Sequence, residues 1–154
     1  MIVFRLSKEA YKNDLSGLGA EKYGGRWNNR GTRIIYTAQS RALANLEVAV
    51  HVPLNMLPQN YYLISIKIPD TSIQTFDKNT LNKEIWRVHP PSDVTQLAGD
   101  RFVRENKKLV LKVPSAIVPG DFNYLINPLH KDIFKVKIID TTIFDFDQRL
   151  FKLV

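Results

Sequence analysis

Apolar and polar residues alternate along several short stretches of the chain, and this pattern predicts a fold with more strands than helices. The alternation is clearest in Tyr61–Ile68, which is typical of a strand with one buried face. The predicted strands are Ile2–Leu6, Arg33–Tyr36, Tyr61–Ile68, Ile73–Phe76, Leu109–Val113 with a continuation to Pro119, Ile133–Ile139, and a last short strand or turn in Phe144–Leu153. Loops are predicted for the glycine-containing stretch up to Gly25, for residues 77–91 and for Asn123–His130.

Two stretches instead show the spacing of an amphipathic helix. The first is Gln39–His51, with Thr37 or Ser40 as its cap and Pro53 beyond its end. The second begins at Ser92 and ends near Glu105, and its predicted inward side chains are Val94, Leu97, Ala98 and Phe102. Because the predicted strands clearly outnumber these two helices, we predict a single α+β domain over residues 1–154, built on a mixed or antiparallel sheet with few helices.

Glu47 lies on the apolar face of the first predicted helix. Leu43, Leu46 and Val50 form that face at positions i, i+3 and i+7, and Glu47 occupies i+4. A buried carboxylate destabilises a fold unless it is paired or faces a polar cavity. Glu47 therefore has either a structural ion pair with a nearby arginine or a role in a site.

Arg26 follows two glycines and precedes a tryptophan. Paired glycines let the backbone take a positive φ or come close to a ligand, and the large ring of Trp27 can fix such a loop in place. The stretch is either a tight turn with a salt-bridged arginine or a binding loop. Ser115, which follows Pro114, is likewise either an ordinary strand serine or a site residue.

The composition excludes several other kinds of site. The chain has no cysteine and three histidines without ligand spacing, so we expect no disulfide and no metal site. The net charge of +7 is spread over both halves of the chain, so we expect no direct binding of nucleic acid. The start of the chain lacks the apolar segment of a signal peptide, and no stretch approaches the ~18 apolar residues of a membrane span. We therefore expect a soluble cytoplasmic protein.

Arg26, Tyr36 and Glu47 together suit a nucleotide. An arginine fork binds phosphate or pyrophosphate, an aromatic face binds a flat heterocycle, and a half-buried carboxylate stabilises a developing positive charge. The chain has neither a Walker-type loop nor a GxGxxG turn. One carboxylate is chemically sufficient for NAD, because its nicotinamide is already cationic and leaves as a neutral molecule without protonation, unlike the leaving group of an ordinary glycoside.

The same residues belong to an ordered series of motifs that resembles the RES-domain family, named for its arginine, glutamate and serine. The matching segments are FRL at Phe4–Leu6, SGLGAEKYGGRWNNRGTRIIYTAQSRALANLEVAVH at Ser16–His51, GDRF at Gly99–Phe102, LKVPSAIVPGDFNYLINPLH at Leu111–His130, and FDQRL at Phe146–Leu150. Because these segments extend over nearly the whole chain, the resemblance is specific.

The resemblance implies a toxin of a bacterial type II toxin–antitoxin pair, with a fold similar to ADP-ribosyltransferases and NAD as substrate. Residue by residue, Arg26, Tyr36, Glu47 and Ser115 match the family's catalytic positions. Arg5 matches a further arginine of the pocket, and Asn127 of the NPLH segment is another candidate for binding NAD.

The resemblance also implies a partner, an Xre-type helix-turn-helix antitoxin that forms a hetero-oligomer with the toxin and covers its pocket. The acceptor of the ADP-ribosyl group stays open between water, phosphate and a protein side chain. Arginine-modifying transferases often carry a second acid two positions before the catalytic one, and here that position is Asn45, which favours NAD breakdown by a glycohydrolase or phosphorylase. A catalytically silent module that binds through its basic surface is the alternative from another class.

Overall fold

Seven strands form one mixed sheet within the residues that the computed structural model describes, which are 1–53, 56–80 and 86–151. The strands are β1 (Ile2–Lys8), β2 (Ile35–Ala38), β3 (Tyr61–Lys67), β4 (Ile73–Thr75), β5 (Val110–Pro114), β6 (Phe122–Ile126) and β7 (Lys137–Phe144). Their order in the sheet is β4-β5-β6-β2-β1-β3-β7, with β4 and β5 parallel and the other neighbours antiparallel. The predicted α+β class is confirmed.

The two faces of the sheet are covered by different parts of the chain. Phe4 and Ala38 form the register pair that joins β1 to β2, so their side chains point to the same face. Helix α2 (Arg41–Ala49) packs on this face through Leu43 and Ala44, and we call it the α2 face. The opposite face has its own apolar core, which includes Val3, Ile35, Ile64, Ile66, Val110, Tyr124 and Ile126.

Helix α1 (Leu18–Tyr23) occupies part of the stretch that we predicted as a loop, so that prediction is wrong. Two of the glycines that indicated a loop, Gly17 and Gly24, lie at its ends with φ values of 71° and 73°, whereas Gly19 lies inside the helix. The helix predicted around Glu47 is confirmed as α2, and Ser40 is its cap because its Oγ accepts a hydrogen bond of 3.1 Å from the Leu43 amide. None of the helices in the described part of the chain is long and apolar enough to cross a membrane.

Helix α3 (Asp93–Glu105) is confirmed, but its buried face differs from the predicted one. Phe102 is buried and Ala98 packs against the core as predicted, but Val94 and Leu97 are 54% and 61% exposed, and Thr95 and Gly99 are buried in their place. The reason is close backbone packing, since a Cβ on Gly99 would lie 1.6 Å from the carbonyl oxygen of Trp27. Gly99 lets α3 lie directly on the segment that carries Arg26.

Several strand predictions change in detail. Asn123–His130 was predicted as a loop, but β6 lies between β5 and β2, because pairing on both sides outweighs the weak local signal of its polar residues. β3 is buried on both faces from Leu63 to Ile66, not on one. The strand predicted over Ile133–Ile139 is only partly present: Ile133–Lys135 form a 3₁₀ helical turn, and β7 starts at Lys137. Residues 81–85 of the predicted loop 77–91 and residues 152–153 of the predicted last element lie outside the described residues.

Candidate active site

The loop Gly24–Asn28, which we call the Arg26 loop, is held against the α2 face by Tyr36 of β2. The Tyr36 hydroxyl donates to Asn28 Oδ1 at 2.7 Å and accepts from the Trp27 amide at 3.0 Å. A Cβ on Gly25 would lie 2.7 Å from the same hydroxyl oxygen, so the loop requires glycine at this position. Burial raises the pKa of Tyr36 well above its usual value. The hydroxyl therefore stays protonated and holds the Arg26 loop in place.

Arg26 connects its loop to the segment that precedes α3. Its Nη1 donates to the carbonyl oxygens of Trp86 at 2.8 Å and Val88 at 3.0 Å. Burial lowers the pKa of Arg26, and the negative charge of Glu47 opposes this shift. The guanidinium remains charged at neutral pH, because arginine has too high a pKa to lose its proton in proteins. Glu47 is thus close enough to Arg26 to act on its charge.

Arg87 places a second guanidinium beside Arg26, and no sequence pattern predicted it. The Arg87 side chain is exposed, its Nε donates to the carbonyl oxygen of Ala116 at 2.9 Å, and its charge contributes to lowering the pKa of Arg26. Among the ion pairs of the described residues, none includes Arg26 or Arg87. Two neighbouring cations in this setting can bind an anion.

Glu47 projects from α2 and meets β6. Its Oε1 accepts a hydrogen bond of 2.5 Å from Nδ2 of Asn123. The packed stripe of α2 is centred on Leu43, Ala44 and Val48, and Val50 is exposed, so Glu47 lies at the edge of the stripe and is half-buried. The carboxylate therefore has a polar partner on the sheet, and none of the ion pairs among the described residues includes it.

Asn45 gives no information on the acceptor. Asn45 and Glu47 both belong to α2, and residues two positions apart in an α-helix project about 200° apart around its axis. An acid at position 45 would point away from the Glu47 side chain. Its absence therefore does not distinguish NAD breakdown from transfer to a protein.

Ser115 lies at the same end of the sheet as Asn123, but its hydroxyl is engaged in a turn. Ser115 is 2% exposed, and its Oγ accepts hydrogen bonds of 3.1 Å from the amides of Ile117 and Val118. These bonds end β5 at Pro114, so the predicted continuation of the strand to Pro119 is wrong. Among the hydrogen bonds of the described residues, none joins Ser115 to Glu47.

The structure does not bring Arg5 and Asn127 to the other site residues. Arg5 follows Phe4 in β1, so its side chain points to the face opposite α2, where Nη1 donates to the Asp14 carbonyl oxygen at 2.8 Å. Asn127 is fully buried beyond the far end of β6, where it bonds Asn106 Oδ1 at 2.9 Å. Both contacts are internal to the fold.

The structure thus assembles Arg26, Tyr36 and Glu47 on the α2 face and adds Arg87 and Asn123 to them. This arrangement offers two cations for an anionic group, an aromatic ring, and a carboxylate for a developing cation. Within the described parts of the chain, no group of three or more histidine or acidic side chains is placed to hold a metal ion. Neither Arg87 nor Asn123 stands out by spacing, because each comes from a stretch that was predicted as a loop.

A separate cavity of about 470 Å³ lies away from this site and shares no residue with it. Its lining includes Lys107, Lys108, Lys131 and Lys135. Lys107 and Lys135 have carboxylates within 3.3 and 3.0 Å. Lys107 and Lys108 also follow the C-terminal end of α3, where lysine is generally favourable. A solvated basic surface accounts for this cavity.

Comparison with known proteins identifies the family by sequence and finds a similar fold in a solved structure. The RES domain family matches residues 2–147. "Toxin Res" of Photorhabdus laumondii is 40% identical over 154 residues, covering 99% of this chain and 98% of the relative, and the "Prs ADP-ribosylating toxin" of a Sphingobium species is 39% identical over 142 residues, covering 91% and 88%. The crystal structure of the M. tuberculosis MbcT–MbcA toxin–antitoxin complex contains a chain that is similar with a TM-score of 0.72 and 20% identity, covering 97% of this chain and 86% of that one. The chain therefore belongs to the RES domain family and, within it, to the RES toxins.

Proposed function

We propose that this protein is a toxin that consumes NAD by breaking the bond between nicotinamide and ribose. The observation that carries the proposal is the Glu47 carboxylate, which is held by Asn123 and lies within electrostatic reach of the Arg26 guanidinium. A carboxylate next to cations suits a substrate that has a pyrophosphate at one point and develops positive charge at another. NAD has both features.

Each residue has a separate task in this reaction. Arg26 and Arg87 hold the pyrophosphate, and the Tyr36 ring forms a wall of the pocket. The bond between C1′ of the ribose and the nicotinamide nitrogen breaks, and its electron pair leaves with nicotinamide, which becomes neutral. Glu47 stabilises the positive charge left on the ribose. An acceptor then adds to C1′ and releases its proton.

The acceptor that we propose is water or phosphate, which makes the protein an NAD glycohydrolase or phosphorylase. A second candidate is transfer of ADP-ribose to a protein, and the relative named an ADP-ribosylating toxin favours it. Both reactions use the same bond cleavage and the same role for Glu47. They differ only in what meets C1′ after nicotinamide has left.

The test is to incubate purified protein with NAD, with and without phosphate, and to identify the products by mass spectrometry. Wild-type protein should release nicotinamide and form ADP-ribose or its 1″-phosphate. Glu47→Gln should lower the rate by about 10²- to 10³-fold, because the neutral amide cannot stabilise the cation. Glu105→Gln, a half-exposed glutamate in ion pairs at the end of α3, is the matched control and should act like wild type.

Three results would decide against parts of this proposal. An unchanged rate for Glu47→Gln would remove Glu47 from its role. Products found only as ADP-ribosylated protein would favour the second candidate. If wild-type protein leaves NAD intact, and its affinity for partners falls steeply with salt, the alternative of a silent binding module is favoured.

We further propose that an Xre-type helix-turn-helix antitoxin neutralises the toxin in the cytoplasm by covering the α2 face as part of a hetero-oligomer. The similar fold in a toxin–antitoxin complex supports an antitoxin partner. Co-expression with the antitoxin should restore growth, and the purified complex should consume NAD at least about tenfold more slowly than the free toxin. A complex with undiminished turnover would contradict the covering of the pocket.

A further inference from the structure

Asn123 is a polar residue in the middle of the sheet, where an apolar or β-branched residue would be more favourable. Its register partners are Ala38 on β2 and Val113 on β5, so its side chain points to the α2 face. Both partners are buried apolar residues. The position is therefore one where the fold by itself favours an apolar residue.

The side chain of Asn123 can be oriented in only one way. Its partner Glu47 Oε1 is a carboxylate oxygen and only accepts hydrogen bonds, so the amide must direct Nδ2 towards it. This bond is charge-assisted, and bonds of this kind are stronger than neutral ones. Turning the amide over would place two acceptors against each other.

This orientation leaves the other end of the amide unsatisfied. Asn123 Oδ1 is buried and has no hydrogen-bond partner among the described residues. A buried acceptor without a partner loses its bond to water and gains nothing in return. The fold therefore accommodates at position 123 a polar side chain with one unsatisfied acceptor. The hydrogen bond to Glu47 is the only favourable polar contact that this side chain makes among the described residues.

We infer that Asn123 is a positioning residue that holds the Glu47 carboxylate in place for cleavage of the nicotinamide–ribose bond. The inference rests on the proposed function, and it assigns Asn123 a role that acts through Glu47. The purely structural explanation is that the pair only fastens α2 to β6. The two explanations differ in what happens to turnover when the bond is lost and the fold is kept.

The first test compares Asn123→Ala with Gln39→Ala. Gln39 is the matched control, because its Oε1 accepts from the Phe122 amide at 3.0 Å and so fastens the neighbouring residue of β6 without touching Glu47. Asn123→Ala should lower kcat for NAD by about 10- to 100-fold, as seen when partners that orient catalytic ligands are removed. Its KM should stay within about threefold of wild type, and its Tm should not fall below that of Gln39→Ala. Gln39→Ala should keep the wild-type kcat.

The second test uses Asn123→Asp, which makes the bond to Glu47 depend on pH. At pH 8 both carboxylates are charged and repel each other, so the variant should be as slow as Asn123→Ala. At pH 5 the pair shares a proton, and the protonated group again donates a hydrogen bond. The ratio of variant to wild-type kcat should therefore rise at least about fivefold from pH 8 to pH 5.

An Asn123→Ala protein with wild-type kcat, or an Asn123→Asp ratio that does not change with pH, would overturn the inference while leaving the proposed function intact. If wild-type protein does not cleave NAD, the proposed function fails instead. The role assigned to Asn123 in cleavage then fails with it, and the side-chain amide protons of Asn123 test by NMR only whether the bond to Glu47 holds the carboxylate. A large upfield move of one of them in Glu47→Gln would support a held carboxylate, and unchanged shifts would refute it.

Discussion

Two half-buried arginines lie on opposite faces of the sheet, and they differ in their surroundings: Arg5 contacts one nearby loop residue, whereas Arg26 lies in the proposed site. Burial lowers the pKa of both Arg5 and Arg26. Arg5 bonds the carbonyl of Asp14, and the Asp14 carboxylate is the charge that opposes the shift. Both of its partners come from one residue of the loop that follows β1.

Arg26 has partners from two distant parts of the chain. Its hydrogen bonds go to the carbonyls of Trp86 and Val88, and the charges that act on it belong to Glu47 and Arg87. A local partner explains a cation as part of the packing, whereas a cation that joins distant segments and lies beside another cation has capacity left for an anion. We therefore expect stability to depend on Arg5 and turnover on Arg26.

The largest effect is expected where the Arg26 loop meets α3. Gly99→Ala would place a methyl group 1.6 Å from the Trp27 carbonyl oxygen, and the backbone must move to accept it. We expect a loss of more than about 3 kcal/mol in the free energy of unfolding, measured by urea denaturation, at the upper end of overpacking effects. Gly19→Ala in α1 is the control, because its Cβ would meet nothing within 4 Å. It should be neutral or stabilise by up to about 1 kcal/mol. Equal stability of the two variants would refute the close packing.

Replacing each arginine in turn tests whether Arg5 contributes to stability and Arg26 to turnover. Arg26→Ala should lower the rate of NAD consumption by about 10²-fold, which corresponds to about 2.7 kcal/mol, and its loss of stability should be the smaller of the two, because one of its two carbonyl bonds is exposed to water. Arg5→Met should lower the free energy of unfolding by about 2 kcal/mol, because the Asp14 carbonyl loses its donor, with turnover per folded molecule unchanged. If Arg5→Met lowers NAD turnover while the fold stays intact, Arg5 belongs to the active site after all.

The outcome for Arg5 shows what sequence patterns can and cannot decide. The pattern of Ile2–Leu6 predicts a strand correctly. Because the residues on both sides of Arg5 are apolar, however, alternation does not show whether Arg5 points to the same face of the sheet as Tyr36. That depends on the pairing of Phe4 with Ala38, which is a property of the folded sheet. Glu47 was easier to identify as a candidate site residue, because a carboxylate beside the apolar stripe of a helix is visible in the local sequence pattern.

Asn123 and Arg87 could not be recognised as site residues from the sequence. Each becomes informative only through a contact with a residue far along the chain, Asn123 with Glu47 and Arg87 with Ala116. The weak local pattern around them predicted loops, and long-range pairing placed Asn123 in a central strand. Strand-forming and helix-forming stretches with strong periodicity were therefore predictable, whereas polar residues recruited by tertiary pairing were not.

Tyr36 gives a smaller effect with a pH signature. Tyr36→Phe leaves Asn28 Oδ1 and the Trp27 amide without a partner, so it should cost about 1 to 2 kcal/mol at pH 7. Burial raises the pKa of Tyr36, and the unfolded chain loses this proton near pH 10. The stability contributed by the hydroxyl is fully present below that pH and declines above it. The difference in Tm between wild type and variant should therefore narrow from pH 8 to pH 10.5, and a constant difference would contradict the burial of this hydroxyl.

The smallest expected effect distinguishes two buried serine hydroxyls. Ser115 Oγ accepts from two amides, whereas Ser92 Oγ is buried without a partner among the described residues. Ser115→Ala should cost about 1 kcal/mol, since two buried amides lose their acceptor, and Ser92→Ala should be neutral or slightly stabilising. Chemical denaturation of both variants measures this difference. If Ser115→Ala keeps its stability but loses NAD turnover, Ser115 acts on the substrate or on Glu47, and the region that serves chemistry extends from Arg26 to the end of β5.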